Sequence, residues 1–204
     1  MSELNFVFGF GLIASVLFSF YLGEHPEIRT TNQHYTVLQV GLEVGPSAAP
    51  MAMAGRANLE TNKAALEILK LYEGISLEAY PQADQWFIGY GHKGPSIHEG
   101  MSITPAMATR YLRGDLVATE TFIRDVVAVP LNENEFSALV ALSYNIGNGS
   151  FKNSTVLRLL NEGQRGAAAD AFLMWNKVKR DGNLTESARL TGRRIAERGL
   201  FLAN

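Results

Sequence analysis

The chain predicts an α+β fold: a mostly helical domain with a small antiparallel β-sheet lobe and a long connecting helix, preceded by an N-terminal membrane segment. Three observations carry this. Beyond residue 59, apolar side chains recur at three- and four-residue spacing in several windows, the period of one helix face. The segment that opens at Gly74 breaks this period and is punctuated by Gly74, Gly89, Gly91, Gly94 and Gly100, as tightly turning chain requires. Finally, Leu4 to Gly23 carries no charged residue and is rich in Phe, Leu, Val and Ile.

About 20 residues at 1.5 Å each just cross a bilayer core of roughly 30 Å. A cleaved signal peptide wants a basic start and a small-residue cleavage site just past the apolar run. Met1 to Asn5 offers no Lys or Arg, and the A-x-A triplet Ala52-Met-Ala54 lies far downstream, so an uncleaved anchor is favoured. Residues 1–23 are read as the anchor. Residues 24–58 are read as a linker, with Pro26, a polar stretch from Arg29 to His34 and the run Gly45-Pro-Ser-Ala-Ala-Pro50. Within it, Tyr35 to Val44 alternates as a short strand would. Residues 59–204 form one folded domain.

The domain's elements follow in order. A helix from Leu59 or Thr61 to Tyr72 delivers Glu73, with Ala65, Leu66 and Leu69 on its buried side. After the sheet, Thr104 caps a long helix whose first position is Pro105 and which runs toward Val127, with Gly114 as a soft point. Asn132 and Glu135 form a capping-box start for a helix from Glu133 to Tyr144, with Phe136, Leu139, Val140 and Leu142 as core. Asn145 to Gly149 breaks the chain. Ser154 caps a short helix, and two further helices are expected at about Gly166 to Trp175 and Thr185 to Leu200.

Composition excludes several functions. At 204 residues with 47% hydrophobic side chains the chain can bury one sizeable core. There is no cysteine, which removes disulfides, thiolate metal sites and thiol switches. No HExxH or other metal-ligand spacing appears, so no metal and no cofactor are expected, and there is no nucleophile elbow. The net charge of −2 hides an asymmetry: from Lys152 onward there are 10 basic against 5 acidic residues. A cationic C-terminal lobe suits an anionic polymer, although a solvated helical face has the same spacing. Without a recognition motif, nucleic acid is not an expected partner. A monomer is expected.

Glu73 is the outstanding candidate for chemistry. It ends a helix and is followed at once by Gly74 and the turn-rich segment containing Trp86-Phe-Ile-Gly-Tyr-Gly-His92. Hydrolysis of a glycosidic bond needs a carboxylic acid that holds its proton near neutral pH, with a second acid or a held water across the sugar. Leu71, Tyr72, Ile75 and Leu77 surround Glu73 in sequence and are expected to keep water from it.

The blocks Tyr72-Glu-Gly-Ile-Ser-Leu-Glu-Ala-Tyr80, Ile88-Gly-Tyr-Gly-His92, Leu131 to Val140, Tyr144-Asn-Ile-Gly-Asn-Gly149, Ser154-Thr-Val-Leu, Trp175-Asn-Lys and Gly192-Arg-Arg-Ile-Ala-Glu197 resemble, in order and spacing, the phage-type lysozymes of glycoside hydrolase family 24, also called endolysins or muramidases. The resemblance implies a sugar cleft between two lobes, Glu73 as catalytic acid and peptidoglycan as the partner substrate. It also implies hydrolysis of the β-1,4 bond between N-acetylmuramic acid and N-acetylglucosamine, ending in host lysis.

The N-terminal run resembles the signal-anchor-release segments of some endolysins. That implies attachment to the host inner membrane through residues 4–23, facing the periplasm, with release into it. Five Phe residues make the run more apolar than an easily released helix, so permanent anchoring stays open.

The chain departs from the family at two positions. Gln82 stands where the family has Asp and Phe87 where it has Thr, and the segment is one residue shorter. Gln is no base and Phe holds no water. Asp84, two residues beyond Gln82, is the candidate second catalytic group, against the alternative that it supports a turn. Gln82, Trp86, Phe87 and His92 are candidate substrate contacts. For His92 a structural bond back to the helix near Glu73 is the competing reading, for Trp86 and Trp175 a place in the core, and for Arg193 and Arg194 pairing with helix-end acids. Two functions therefore stand open: an active membrane-tethered or released muramidase, and a relative that lost its base and serves as a wall-binding or interaction module.

Overall fold

Residues 59–180 and 182–203 are described by a computed structural model; the anchor, the linker and the strand expected at Tyr35 to Val44 lie outside them. Among the described residues, no helix is long and apolar enough to cross a membrane.

The first helix, α1 (Lys63–Glu73), begins where the Asn62 side chain accepts the Ala65 amide, and buries Ala65, Leu66 and Leu69. It stops at Gly74, whose φ of 75° carries the chain out of the helix while its amide still donates to Lys70. Three antiparallel strands follow: β1 (Ser76–Gln82), β2 (Gln85–Gly89) and β3 (His92–Lys93), in the order β1-β2-β3. Ala83 and Asp84 alone connect β1 to β2, and Ala83 takes a φ of 49° to close the turn. The register slips between Ser76 and Tyr80, then holds Tyr80 opposite Phe87 and Gln82 opposite Gln85.

Ile88 anchors the inner face of this sheet in a small core with Ile97, Ile103 and Ala108, flanked by Ala79 and Trp86. The long helix α2 (Pro105–Val126) starts as expected, with Thr104 capping Met107 and Pro105 at its first position, and runs unbroken through Gly114. Its 22 residues span about 33 Å. Ala108 near one end belongs to the small core, whereas Leu112, Leu116 and Ile123 enter the large helical core. One stripe at four- and three-residue spacing thus serves both lobes.

The large core surrounds α3 (Glu133–Ile146), which is buried without interruption from Glu135 to Ser143. The expected capping box is present: Asn132 accepts the Glu135 amide at 2.8 Å and Glu135 accepts the Asn132 amide at 2.9 Å. The helix runs two residues further than the sequence suggested. The chain breaks only at Gly147, after which α4 (Asn148–Lys152) and the Ser154-capped α5 (Thr155–Asn161) follow.

The two last expected helices need correction. The first is α6 (Arg165–Ala171) followed by a 3-10 turn, Phe172–Trp175. The second, α7 (Ala188–Leu202), starts later than Thr185, because Thr185 lies in a hairpin of β4 (Lys177–Arg180) and β5 (Asn183–Glu186). The Asp181-Gly182 pair between those strands is a strong hairpin signal, and Gly182 has the positive φ of 85° that such a turn uses.

Gly89 joins the sheet to α2. Its φ is 66°, and a Cβ there would lie 3.3 Å from the Ala108 Cβ. Gly89→Ala is expected to lower stability by about 1–3 kcal/mol through combined backbone strain and crowding, measured by denaturant unfolding of the purified protein.

Candidate active site

Glu73 closes α1 at the junction of the two lobes, one residue before Gly74 and three before β1 begins. Its carboxylate is mostly enclosed, with 11% of the side chain exposed, and its Oε1 accepts a hydrogen bond from Arg193 Nη1 at 2.8 Å. The expected apolar shield is not what encloses it. Leu71 is 70% exposed, Ile75 49% and Leu77 38%, because these side chains point away from the core that the Ala65, Leu66 and Leu69 stripe enters. The contact that holds it comes instead from Arg193 of the helix α7.

Arg193 is itself buried and is shared. Its Nε donates to Glu197 Oε1 at 2.9 Å, one helical turn along α7, while Arg194 Nη1 lies 3.2 Å from Glu197 Oε2. Arg194 Nη2 also donates to Asn145 at the end of α3. Arg193, Arg194 and Glu197 all have 2% exposure or less. Burial works against the Arg193 charge, but the carboxylates of Glu73 and Glu197 more than offset it and hold the guanidinium above its usual value. Burial brings Arg194 down to about 10, so it remains charged at neutral pH. Burial pushes the Glu197 carboxyl up, while the two guanidiniums pull it back. Arg193 pairs with a helix-end acid, Glu73, as the sequence suggests, whereas Glu197, the acid that both arginines share, lies inside α7.

Tyr80 on β1 and Tyr144 on α3 feel the Glu73 charge. Burial, then the Glu73 charge, lifts the Tyr80 hydroxyl above its ordinary range. Tyr144 is lifted by burial, then by Asp115 and Glu73, with Arg193 opposing. Both hydroxyls are therefore within electrostatic reach of Glu73 and keep their protons at neutral pH. Arg189, in the first turn of α7, donates to the Tyr72 carbonyl and holds the end of α1 against α7.

The remaining candidates are spread over the sheet. Asp84 sits in the exposed β1-β2 turn and makes no side-chain hydrogen bond or ion pair among the described residues. Gln82 is half-buried on β1, with its Oε1 shielded and unpartnered. Phe87 is buried and stacks on Tyr80, with ring centroids 5.9 Å apart. Trp86 is half-buried against the small core, and Trp175 packs on the large one. His92 bonds through Nδ1 to Asp115 at 2.8 Å and stacks on Tyr111 at 4.4 Å. Its partner is thus α2, not the helix bearing Glu73. Burial lifts the Asp115 carboxyl, with the His92 hydrogen bond and charge opposing.

Glu197, Asp115, Tyr80 and Tyr144 were not singled out in the sequence as site residues. The Arg-Arg-x-x-Glu spacing of Arg193 to Glu197, which puts acid and bases on one helix face, was the available signal. A cavity of about 450 Å³ lies at the other end of α1, lined by Leu59 to Lys63, Arg113 and Glu133. It is remote from Glu73 along the helix and holds none of the residues above.

A helical lobe and a small sheet lobe bridged by one long helix, with an enclosed helix-end carboxylate at their junction, define a lysozyme-like protein. The chain belongs to the phage lysozyme family, a family of glycoside hydrolases, whose profile matches residues 70–197. It is 43% identical over 140 residues to the endolysin of Salmonella phage P22, covering 66% of this chain and 92% of that one. The muramidase domain of SpmX from Asticaccaulis excentricus superposes with a TM-score of 0.68 at 36% identity, covering 72% of this chain and all (100%) of that domain. The SAR-endolysin of Enterobacteria phage P21 is 34% identical over 104 residues, 50% of this chain and 63% of that protein.

Glu197→Ala would leave Arg193 and Arg194 buried with too little negative charge. It is expected to cost about 3–5 kcal/mol of stability, read as a lowered denaturant midpoint.

Proposed function

We propose that this protein is an endolysin that hydrolyses the β-1,4 bond between N-acetylmuramic acid and N-acetylglucosamine in peptidoglycan and so lyses the host cell. The observation that carries the proposal is the enclosed Glu73 carboxylate, fixed by Arg193 between the two lobes within the region that matches the phage lysozyme family. Because Arg193 engages Oε1, Oε2 is the oxygen that presents a proton to the substrate in the protonated, reacting form of Glu73. Glu73 delivers it to the glycosidic oxygen as the bond to the anomeric carbon breaks. Water then attacks that carbon from the opposite face, which is inversion. Arg193 stabilises the carboxylate left behind.

Asp84 is the proposed acceptor for the attacking water's proton, reaching it from the exposed β1-β2 turn. Gln82 and Phe87 are the proposed direct sugar-lobe contacts, with Trp86 and His92 supporting them from the core-facing side of the sheet. His92 acts there through its bond to Asp115, which fixes its ring. The apolar run 4–23 is proposed to hold the enzyme in the host inner membrane, residues 24–58 to tether the domain on the periplasmic side, and release from the membrane to free it. Similarity to SAR-endolysins supports this arrangement.

Gln82 and Phe87 favour a second reading, a wall-binding module that has lost its base. Turbidity clearing of purified peptidoglycan by the full-length protein separates the two. Wild type clears, and Glu73→Gln loses at least about 1,000-fold in rate while still sedimenting with the wall; binding without clearing by wild type establishes the module. Asp84→Asn is expected to lose about 100-fold or more, and an undiminished rate would remove Asp84 from the chemistry. Deletion of residues 4–23 is expected to abolish sedimentation with inner membranes after alkaline extraction and to suppress lysis from within.

A further inference from the structure

The outward face of the small sheet carries one cation, and nothing in the reaction above uses it. Side chains alternate along a strand and cross-strand partners share a face. Tyr80 and Gln82 on β1 therefore share a face with their partners Phe87 and Gln85 on β2, and Phe87 in turn is opposite Lys93 on β3. The side-chain contacts agree: Tyr80 stacks on Phe87, and the Lys93 ammonium sits 5.8 Å from the Phe87 ring centroid and 3.1 Å from Gln85 Oε1. The opposite face, with Ile88 and Trp86, packs on the small core. The face bearing Lys93 is thus the one turned away from that core, and the sheet that carries it begins at Ser76, three residues after Glu73.

Lys93 is exposed, yet its end is positioned by an amide oxygen and an aromatic face, and no carboxylate of the described residues lies within 4.0 Å of it. Gln82 and Gln85 are neutral. Glu78 is exposed on β1, on the side of Tyr80, and is separated from Lys93 by the width of the sheet, since β2 lies between their strands. The paired stretch of this face therefore presents a single, oriented positive charge beside aromatic rings, a surface suited to a sugar that bears a carboxylate.

We propose that Lys93 is a specificity-determining residue that pairs with a carboxylate carried on the lactyl arm of the bound muramic sugar. This rests on the peptidoglycan reading above. The carboxylate is either that of a bare lactyl group or one on the stem peptide attached to it. In both cases Lys93 orients the muramic unit relative to Glu73, while Gln85 keeps the ammonium extended over Phe87.

The test is a cycle between protein and substrate. Apparent KM and kcat of the full-length protein are measured on intact sacculi and on glycan stripped of peptides by an amidase, each before and after carbodiimide coupling to methylamine, which neutralises carboxylates. Lys93→Gln is expected to raise KM about five-fold on untreated wall with kcat little changed, and Lys93→Arg to behave as wild type. Amidation is expected to raise the wild-type KM by a similar factor and to abolish the effect of Lys93→Gln.

An effect on the stripped glycan identifies the lactyl carboxylate; an effect confined to intact sacculi identifies the stem peptide. Additive losses from Lys93→Gln and amidation, or no loss from Lys93→Gln on any material, would overturn the proposal while leaving hydrolysis intact. Absence of clearing by wild type overturns the peptidoglycan-hydrolase reading itself, a separate result.

Discussion

A guanidinium cannot be placed at 2% exposure without negative charge around it, and this constraint on Arg193 organises the domain. Glu197 supplies one partner from the same helix and Glu73 the other from α1, 120 residues earlier in the chain. The proposed catalytic carboxyl is therefore fixed by a helix made long after α1. Its geometry depends on α7 docking correctly, and that docking is enforced by Arg189 on the Tyr72 carbonyl and by Arg194 on Asn145. Close approach is enforced too: a Cβ at Gly192 would fall 3.0 Å from the Tyr72 hydroxyl, so α7 crosses the end of α1 where it has no side chain. The site and the stability of the helical lobe share the same charges.

The second organising feature is α2. It is the element that contributes buried residues to both cores, and Tyr90 is packed against both. The sheet lobe is small, its core a cluster of four buried apolar residues of which α2 supplies Ala108, and by itself would bury too little surface to stand alone. It is held by one end of α2, by Gly89 against Ala108 and by His92 against Asp115. The Glu73 carboxylate sits on the helical side of this junction and Tyr80 on the sheet side, so the lobes meet across the proposed chemistry.

Most of the helical framework was legible from local rules. Asn132, Thr104 and Ser154 cap as their residue types require, and the stripes of α1 and α3 identified their buried side chains. What escaped was decided by tertiary contacts. Leu71, Ile75 and Leu77 flank Glu73 in sequence but turn to solvent, since sequence neighbours on a helix end face different directions. His92 pairs with Asp115, 23 residues away, a distance no local pattern encodes. The β4-β5 hairpin was missed because helical spacing resumes so soon at Ala188 that the Asp181-Gly182 signal was read through. Glu73 was found from its motif, whereas the reason it is enclosed lies in α7.

That hairpin stands clear of the body of the domain. Its strand residues are exposed except Val178, and each strand pairs with the other alone. Because it carries no share of either core, its tip is where the chain would tolerate foreign sequence best. A fluorophore tag or an affinity peptide spliced in next to Gly182 would report on the enzyme within the wall without touching the packing that keeps Glu73 in place.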